Sequence, residues 1–425
     1  MKLFYQFLTI FFYPFLILLI YFRKILKKED KDRYKEKILL SAIKAEKNKY
    51  KKLIWFHAAS IGEVQSIFPI INALNKSQKH VEFLITTVTL SSGNLVKKKI
   101  KANQNIKHRY FPVDVVFVIK KFLDIWKPDL VIFVDSEIWP NLIFDLKRRK
   151  IPSILVNARI TKKTFKRWML IKSFAKKIFN NFDLCLASSA ETKKYLQKLR
   201  AKNIKYFGNI KIAALINYNK ISNTNDKFLN KKRFWCAASI HKGEEILCLK
   251  THLNIKSLYK DIITIIVPRH ISRSRKIKAL CDKFNLTGQI LNENEKIKNK
   301  KEIIIINSFG ALLKYLKYSK SVFIGKSTIK KLEQVGGQNP IEAAKLGCKV
   351  YHGPYTYNFS DVYDLLKKKK ITYKINNAAE LSDKLILDLK HNRKNRNNSA
   401  LKTIDNIGKK ILNNSIKEIK KILRK

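Results

Sequence analysis

From about residue 50 onward, short apolar runs alternate with charged, helix-length segments, and this alternation constrains the fold more than any other feature of the chain. The first series of candidate strands is LIWFHAA (53–59), VEFLITTV (81–88), LVIFVDS (130–136), SILVNA (153–158), LCLAS (184–188) and IKYFGN (204–209). Between them lie segments of helical periodicity such as GEVQSIFPIINALNK (62–76). The pattern stops at AALINYNKISNTNDKFLNKKR (213–233), whose Asn and Lys content marks a linker. It resumes with FWCAAS (234–239), IITIIVPR (262–269), EIIIINS (302–308), SVFIG (321–325) and KVYHG (349–353). A βαβα order needs crossover connections, so each series predicts a parallel sheet with helices on both faces. Two α/β domains, 35–212 and 234–400, suit 425 residues at roughly 100–200 residues per domain.

The chain ends contribute further segments. Residues 3–22, LFYQFLTIFFYPFLILLIYF, carry no charge and have about the length of a membrane span, although Pro14 interrupts them and Gln6 and the aromatics favour an interface. The basic run RKILKKEDKDRYKEK follows directly and holds that side in the cytoplasm, so residues 1–34 form an uncleaved anchor with a basic flank. Spanning and lying in the surface both stay open. Residues 401–425 form an amphipathic C-terminal helix that either packs back on the body or touches lipid.

Composition bounds the partners. The net charge of +57 favours polyanions such as nucleic acid, anionic lipid or phosphorylated substrates. A chain-wide excess of Lys, Ile and Asn competes as its cause, with lysine filling solvated positions. Cysteines 185, 236, 248, 281 and 348 show neither CxxC nor CxxH spacing, so no zinc site or disulfide framework is indicated and a reducing compartment follows. Neither a GxxxxGK[ST] loop nor GxGxxG is present, which argues against a nucleotide-hydrolysing motor and a dinucleotide dehydrogenase.

In open parallel sheets, ligands sit at the carboxyl ends of the strands, and a cleft between two such domains is the place to look. The polar residues cluster at those ends: Ser60-Ile61-Gly62-Glu63, TTVTLSSGN (86–94), Asp135-Ser136-Glu137, Asn157-Ala158-Arg159 and Gly208-Asn209-Ile210-Lys211. Each alone fits a cap or turn; Ser60 with Glu63 three residues later is a capping box. In the second domain Ser239–Gly243, Pro268-Arg269-His270 and Asn307-Ser308-Phe309-Gly310 end strands. There GGQNPIEAA (336–344) sets two glycines and Asn339 before a helix beginning with Pro340. Backbone N–H groups at that helix start, with Arg269, suit a phosphate, and Glu342 suits ribose hydroxyls. Carboxylates in one domain and a phosphate pocket in the other fit transfer from a nucleotide-activated donor to an acceptor hydroxyl.

Nine ordered segments, HAASIGEV (57–64), TTVTLSSGN, DSEIWPNLI (135–143), IPSILVNARI (151–160), GNIKI (208–212), AASIHKGEE (237–245), VPRH (267–270), GGQNPIEAA and GPYTYNF (353–359), closely resemble the 3-deoxy-D-manno-octulosonic acid (Kdo) transferases. The resemblance covers essentially the whole chain. It implies the GT-B fold, two Rossmann-like domains facing a central cleft, and transfer of Kdo from CMP-Kdo to the 6′-hydroxyl of the lipid A precursor in lipopolysaccharide biosynthesis. The setting it implies is the cytoplasmic face of the inner membrane of a Gram-negative-type bacterium. Carried over by position, Glu63 is the general base, and Asp135 and Lys211 stabilise the transition state. Glu137 and Arg159 are possible accessories at the same rim. Pro268, Arg269, Phe309, Gly310, Ala311, Asn339, Pro340, Ile341 and Glu342 match the segments that bind CMP. The implied reaction is an inverting single displacement needing no metal and no cofactor beyond the donor substrate.

Four positions depart from the family pattern: Asp135 stands for Glu, Ala311 for Glu, Gln338 for His and Lys326 for Gly. Transfer from another nucleotide sugar is the alternative within enzymes, and donor selectivity separates the two. A nucleic-acid-binding or membrane-scaffolding protein would instead bind generic RNA or DNA with steep salt dependence, and it leaves the strand-end carboxylates unexplained.

Overall fold

The computed structural model describes residues 1–45, 48, 50–78, 80–100, 105–214, 216–390 and 398–424. They divide into two compact units, Met1–Ala214 with Ile407–Lys425, and Leu215–Asn406. The first unit holds β1 (Lys52–His57), β2 (Val81–Thr87), β3 (Ile106–Tyr110), β4 (Leu130–Val134), β5 (Ser153–Ala158), β6 (Leu184–Ala187) and β7 (Ile204–Tyr206), in the order β3-β2-β1-β4-β5-β6-β7. The strand pairs are parallel; Phe56 of β1 lies opposite Ile85 of β2 and Ile132 of β4. The central strands are buried on both faces and therefore read as nearly unbroken apolar runs. Trp55, Val131, Phe133 and Leu155 pack with helices Val116–Trp126, Pro140–Arg148 and Lys172–Phe179 into one core.

The second unit repeats this plan with β8 (Phe234–Ile240), β9 (Ile263–Pro268), β10 (Gly288–Leu291), β11 (Ile303–Ile306), β12 (Ser321–Ile324), β13 (Lys349–His352) and β14 (Thr372–Lys374), ordered β10-β11-β9-β8-β12-β13-β14. Strands β3, β10 and β14 carry no long apolar run. All three lie at sheet edges, where β3 buries only alternate residues and IKHRY keeps its basic side chains half-buried.

The segment 213–233 is more ordered than a linker composition suggests. It contains helix Asp226–Lys231, with Leu229 buried. Asn225 secures it to the second unit, donating to Glu295 O (2.9 Å) and accepting from Ile297 N–H (2.8 Å). The C-terminal helix Asn398–Leu423 buries Ile404, Ile411, Ile416, Ile419 and Ile422 along one face, and its final part belongs to the first unit. Gly408 there faces the Ile212 carbonyl so closely that a Cβ would stand 2.6 Å from its oxygen.

The apolar N-terminus is two helices, Lys2–Phe11 and Tyr13–Ile25, bent by 50°. Pro14 sits in the first turn of the second helix, where its missing N–H costs least and where the first helix cannot continue through it. Among the described residues no single helix is long and apolar enough to cross a membrane, whereas the bent pair has the length and composition together. One side of the pair docks on the first unit: Tyr5 donates to Asp114 (3.0 Å), Thr9 accepts from Asn141 (3.1 Å), and Tyr13 meets Phe117 edge-on. Leu3, Phe4, Phe7, Phe11, Phe15 and Leu18 are exposed.

In the second unit one buried carboxylate joins the strand ends. Glu244 accepts from the backbone N–H groups of His241, Lys326, Ser327 and Thr328 and from the Thr328 hydroxyl, tying the loop after β8 to the loop after β12. Glu244→Gln turns one acceptor oxygen into a donor facing N–H groups. It should lower unfolding stability by about 3 kcal/mol, measured by urea denaturation, whereas Asp261→Asn on the surface should change it by no more than about 0.5 kcal/mol.

Candidate active site

The polar strand ends of the first unit meet where the sheet order reverses, between β1 and β4, the place where open α/β sheets bind ligands. Asp135 follows β4 directly and Asn157 is the last residue but one of β5, where the pairing with β6 shifts register; both are left-handed (φ +58° and +54°). Left-handed backbone is costly for residues with a Cβ, and it persists where the surroundings hold it. Here the holding is explicit. The Asp135 carboxylate accepts from Lys211 Nζ (2.6 Å) and closely from the Asn157 amide, and Asn157 Oδ1 in turn accepts from Ile210 N–H (3.0 Å). Lys211 stands in the turn Ile210–Ala213, which Asn209 caps and against which helix Ile61–Ser77 packs. Arg159 N–H donates to the Asp135 carbonyl (3.0 Å), and the Arg159 side chain is half-buried.

Glu63 stands in the first turn of the neighbouring helix, Ile61–Ser77. Ser60 is its N-cap, accepting from Glu63 N–H at a long 3.4 Å, and the Glu63 carboxylate folds back to accept from Ala59 N–H (2.8 Å) and the Ser60 hydroxyl (2.7 Å). Ser60 thus caps the helix, while the return bond goes to the Ala59 N–H in place of the Ser60 N–H of a capping box. This arrangement does not hold the group ionised, because burial, the Asp135 charge and then the Glu137 charge raise the carboxyl to about 7, against the pull of the two hydrogen bonds. Asp135 has a cationic partner; among the described residues Glu63 has none, and it sits buried with both protonation states accessible near neutrality. A Cβ at Gly62 would meet nothing within 4 Å, so the approach beside Glu63 is open.

His57, the last residue of β1, is a site residue that its place in an apolar run did not signal. It is fully buried, stacked on Phe111 with ring centroids 3.8 Å apart, and bridges Thr86 (3.0 Å from Nδ1) to Glu137 (3.1 Å from Nε2). The hydroxyls of TTVTLSSGN are largely engaged internally: Thr86 with His57, Thr87 with His108, and Ser92 with Thr89 and the Ala59 carbonyl.

In the second unit the other candidate residues share the carboxyl edge of the sheet. Pro268 ends β9 and Arg269 follows it exposed, its guanidinium making no ion pair or hydrogen bond among the described residues. Phe309 is 76% exposed, Gly310 is left-handed (φ +74°) with open space around it, and Ala311 is the buried N-cap of helix Leu312–Leu316. Pro340 caps helix Ile341–Lys345 instead of starting it, and Asn339 accepts from Ile341 N–H (3.0 Å). Glu342 is half-buried without a side-chain partner among the described residues, and desolvation raises its carboxyl. Lys326 keeps the left-handed backbone (φ +59°) that glycine adopts freely, at a cost of about 1 kcal/mol. Among the described residues no group of three or more His, Cys, Asp or Glu side chains could hold a metal ion, and all five cysteines are buried and free.

Comparison with known proteins identifies the family and the fold. The family described as 3-Deoxy-D-manno-octulosonic-acid transferase (kdotransferase) matches residues 32–214. The 3-deoxy-D-manno-octulosonic acid transferase of Rickettsia prowazekii is 30% identical over 400 residues, covering 92% of this chain and 85% of its own. The protein of the same description from Haemophilus influenzae is 28% identical, covering 81% and 80%. Among solved structures, a glycosyltransferase from Rickettsia africae matches with TM-score 0.57 at 16% identity, covering 88% of this chain and 99% of its own. At that identity it establishes the fold: α/β, GT-B, two Rossmann-like units.

The electrostatic reading of the first unit is testable without substrate. Asp135→Asn removes a negative charge beside Glu63 and frees the Lys211 ammonium, so the Glu63 titration followed by carboxyl carbon NMR should fall from about 7. An unchanged midpoint would show that burial alone sets it.

Proposed function

The chain belongs to the Kdo transferase family of glycosyltransferases, and within that family we propose that it transfers Kdo from CMP-Kdo to the 6′-hydroxyl of the lipid A precursor with Glu63 as general base. The observation that carries this reading is the Glu63 carboxyl, raised to about 7 beside an ion-paired Asp135. A base with a pKa near the working pH combines a useful ionised fraction with a useful driving force for taking a proton. In the proposed step the acceptor hydroxyl gives its proton to Glu63 while its oxygen bonds to the anomeric carbon of Kdo. The bond from that carbon to the CMP phosphate oxygen breaks, and CMP leaves with the electron pair. Asp135 and Lys211 steady the charge that develops at the reacting centre.

On the donor side the proposal assigns CMP to Pro268-Arg269, Phe309-Gly310-Ala311 and Asn339-Pro340-Ile341-Glu342. Support comes from the Arg269 guanidinium, suited to a phosphate, and from the Glu342 carboxyl, suited to ribose hydroxyls, both without a side-chain partner among the described residues. Cationic stabilisation of the leaving phosphate lets the displacement be written with no metal and no further cofactor. Ala311 and Gln338 leave the donor segments without side chains that the family pattern carries, and this favours testing other nucleotide sugars as the alternative donors.

For the location, the proposal draws support from the N-terminal helices. Their exposed apolar side, followed by a basic flank, suits the cytoplasmic face of an inner membrane rich in anionic lipid. The chain should float with anionic phospholipid vesicles. Replacing exposed Phe7 and Phe11 with Asp should abolish flotation, and retention by that variant would remove this part of the proposal.

Incubation with CMP-Kdo and lipid A precursor should release CMP and yield Kdo-bearing lipid. Glu63→Gln, still folded by thermal melting, should lose about 10²–10⁴-fold in kcat. Full activity of that variant would end the base assignment. Because the base acts as its carboxylate, kcat/KM should fall as pH drops below about 7.

A further inference from the structure

One group beside the proposed base is built with more care than a cap or turn requires. A single oxygen of Glu137, Oε2, accepts from His57 Nε2–H (3.1 Å) and Trp139 Nε1–H (3.0 Å). A carboxylate only accepts, so His57 Nε2 carries a proton toward Glu137. The Thr86 hydroxyl lies 3.0 Å from His57 Nδ1, donates to the Phe56 carbonyl (3.5 Å) and accepts from Trp55 Nε1–H (2.8 Å). Trp55, Thr86 and His57 are fully buried, and Phe111 packs on both His57 and Trp139. The whole relay is rigid and ends on one half-buried carboxylate.

The second oxygen of Glu137, Oε1, has no partner among the described residues. Of the three carboxylates at this rim, Asp135 is paired with Lys211 and Glu63 has both oxygens hydrogen-bonded to residues 59 and 60. Only Glu137 offers a fixed oxygen not already used. We propose that Glu137 is an acceptor-positioning residue, whose free Oε1 accepts a hydrogen bond from a hydroxyl of the acceptor sugar while His57 and Trp139 hold its other oxygen. His57 acts through Glu137 and touches no substrate. The assignment rests on the first unit being the acceptor side, as proposed above. It also supplies a second readout, since the Glu137 charge is one of those that raise Glu63. The charged groups around Glu63 are Asp135 at the end of β4, Glu137 in the loop after it, and Lys211 through its pair with Asp135; within its own turn Ser60 and Ala59 contribute hydrogen bonds only.

The test is steady-state kinetics of the full-length enzyme with CMP-Kdo and detergent-solubilised lipid A precursor. Glu137→Gln should raise the acceptor KM about tenfold or more, as for loss of a hydrogen bond to a charged group, and leave the donor KM within about twofold. It should also move the acid limb of kcat/KM to lower pH, which a purely structural role would not do. Trp139→Phe keeps the ring and the charge but drops one clamp, so it should raise the acceptor KM severalfold with the limb unmoved. An acceptor KM within about twofold of wild type in folded Glu137→Gln overturns the proposal, as does an equal rise for donor and acceptor. If Glu137→Gln fails to fold, an unchanged acceptor KM in Trp139→Phe overturns it. Failure of the base reading is separate: it shows as retained kcat in Glu63→Gln, whatever the Glu137 variants do.

Discussion

The first unit depends on the Asp135–Lys211 ion pair. Near the ends of two strands stand left-handed residues, Asp135 just after β4 and Asn157 just before the last residue of β5, and such backbone holds only where side chains lock it. The lock runs from Lys211 through Asp135 to Asn157 and on to Ile210 N–H, so the ends of β4 and β5 and the turn after β7 are fixed together. The same pair decides the electrostatics. Lys211 compensates Asp135 directly, while the Asp135 charge still reaches Glu63 and helps raise it to about 7. The geometry that stabilises one carboxylate therefore withholds stabilisation from its neighbour, and two acids of like chemistry acquire different roles.

The second unit uses a buried carboxylate in the opposite way. Glu244 takes four backbone N–H groups and a hydroxyl, leaving little capacity for a ligand, and so it organises loops. In the same unit Arg269, Phe309 and Gly310 are exposed, and Glu342 has no side-chain partner among the described residues. The departures from the family pattern fall in this unit or are chemically conservative. Lys326 adopts a left-handed backbone, which glycine takes freely, and Asp135 supplies a carboxylate.

How much of this was legible in the sequence follows from burial. Central strands such as LIWFH and LVIFV are covered on both faces, so they stand out as apolar runs; IKHRY, GQIL and TYK are edge strands and carry no such mark. The 3–22 run already shows Pro14 as an interruption, but the 50° bend between the two helices it separates depends on backbone geometry that composition does not carry. The Asn-rich segment 213–233 looked solvated, yet Asn225 spends both ends of its amide on the second unit. Ser60 and Glu63 were readable as a capping box. What makes Glu63 unusual comes from Asp135 and Glu137, residues distant in sequence, and no local pattern carries that information. His57 was hidden for the same reason, since its partners Thr86 and Glu137 lie on other strands and loops.

The central claim is that Glu63 removes a proton and does not itself attack the donor. The configuration at the anomeric carbon of the transferred Kdo tests this most directly, because direct attack by the acceptor hydroxyl inverts that centre and attack by an enzyme carboxylate followed by a second displacement retains it. NMR of the first-turnover lipid product, compared with the donor, should show inversion. Retention would contradict the account and make Glu63 a nucleophile.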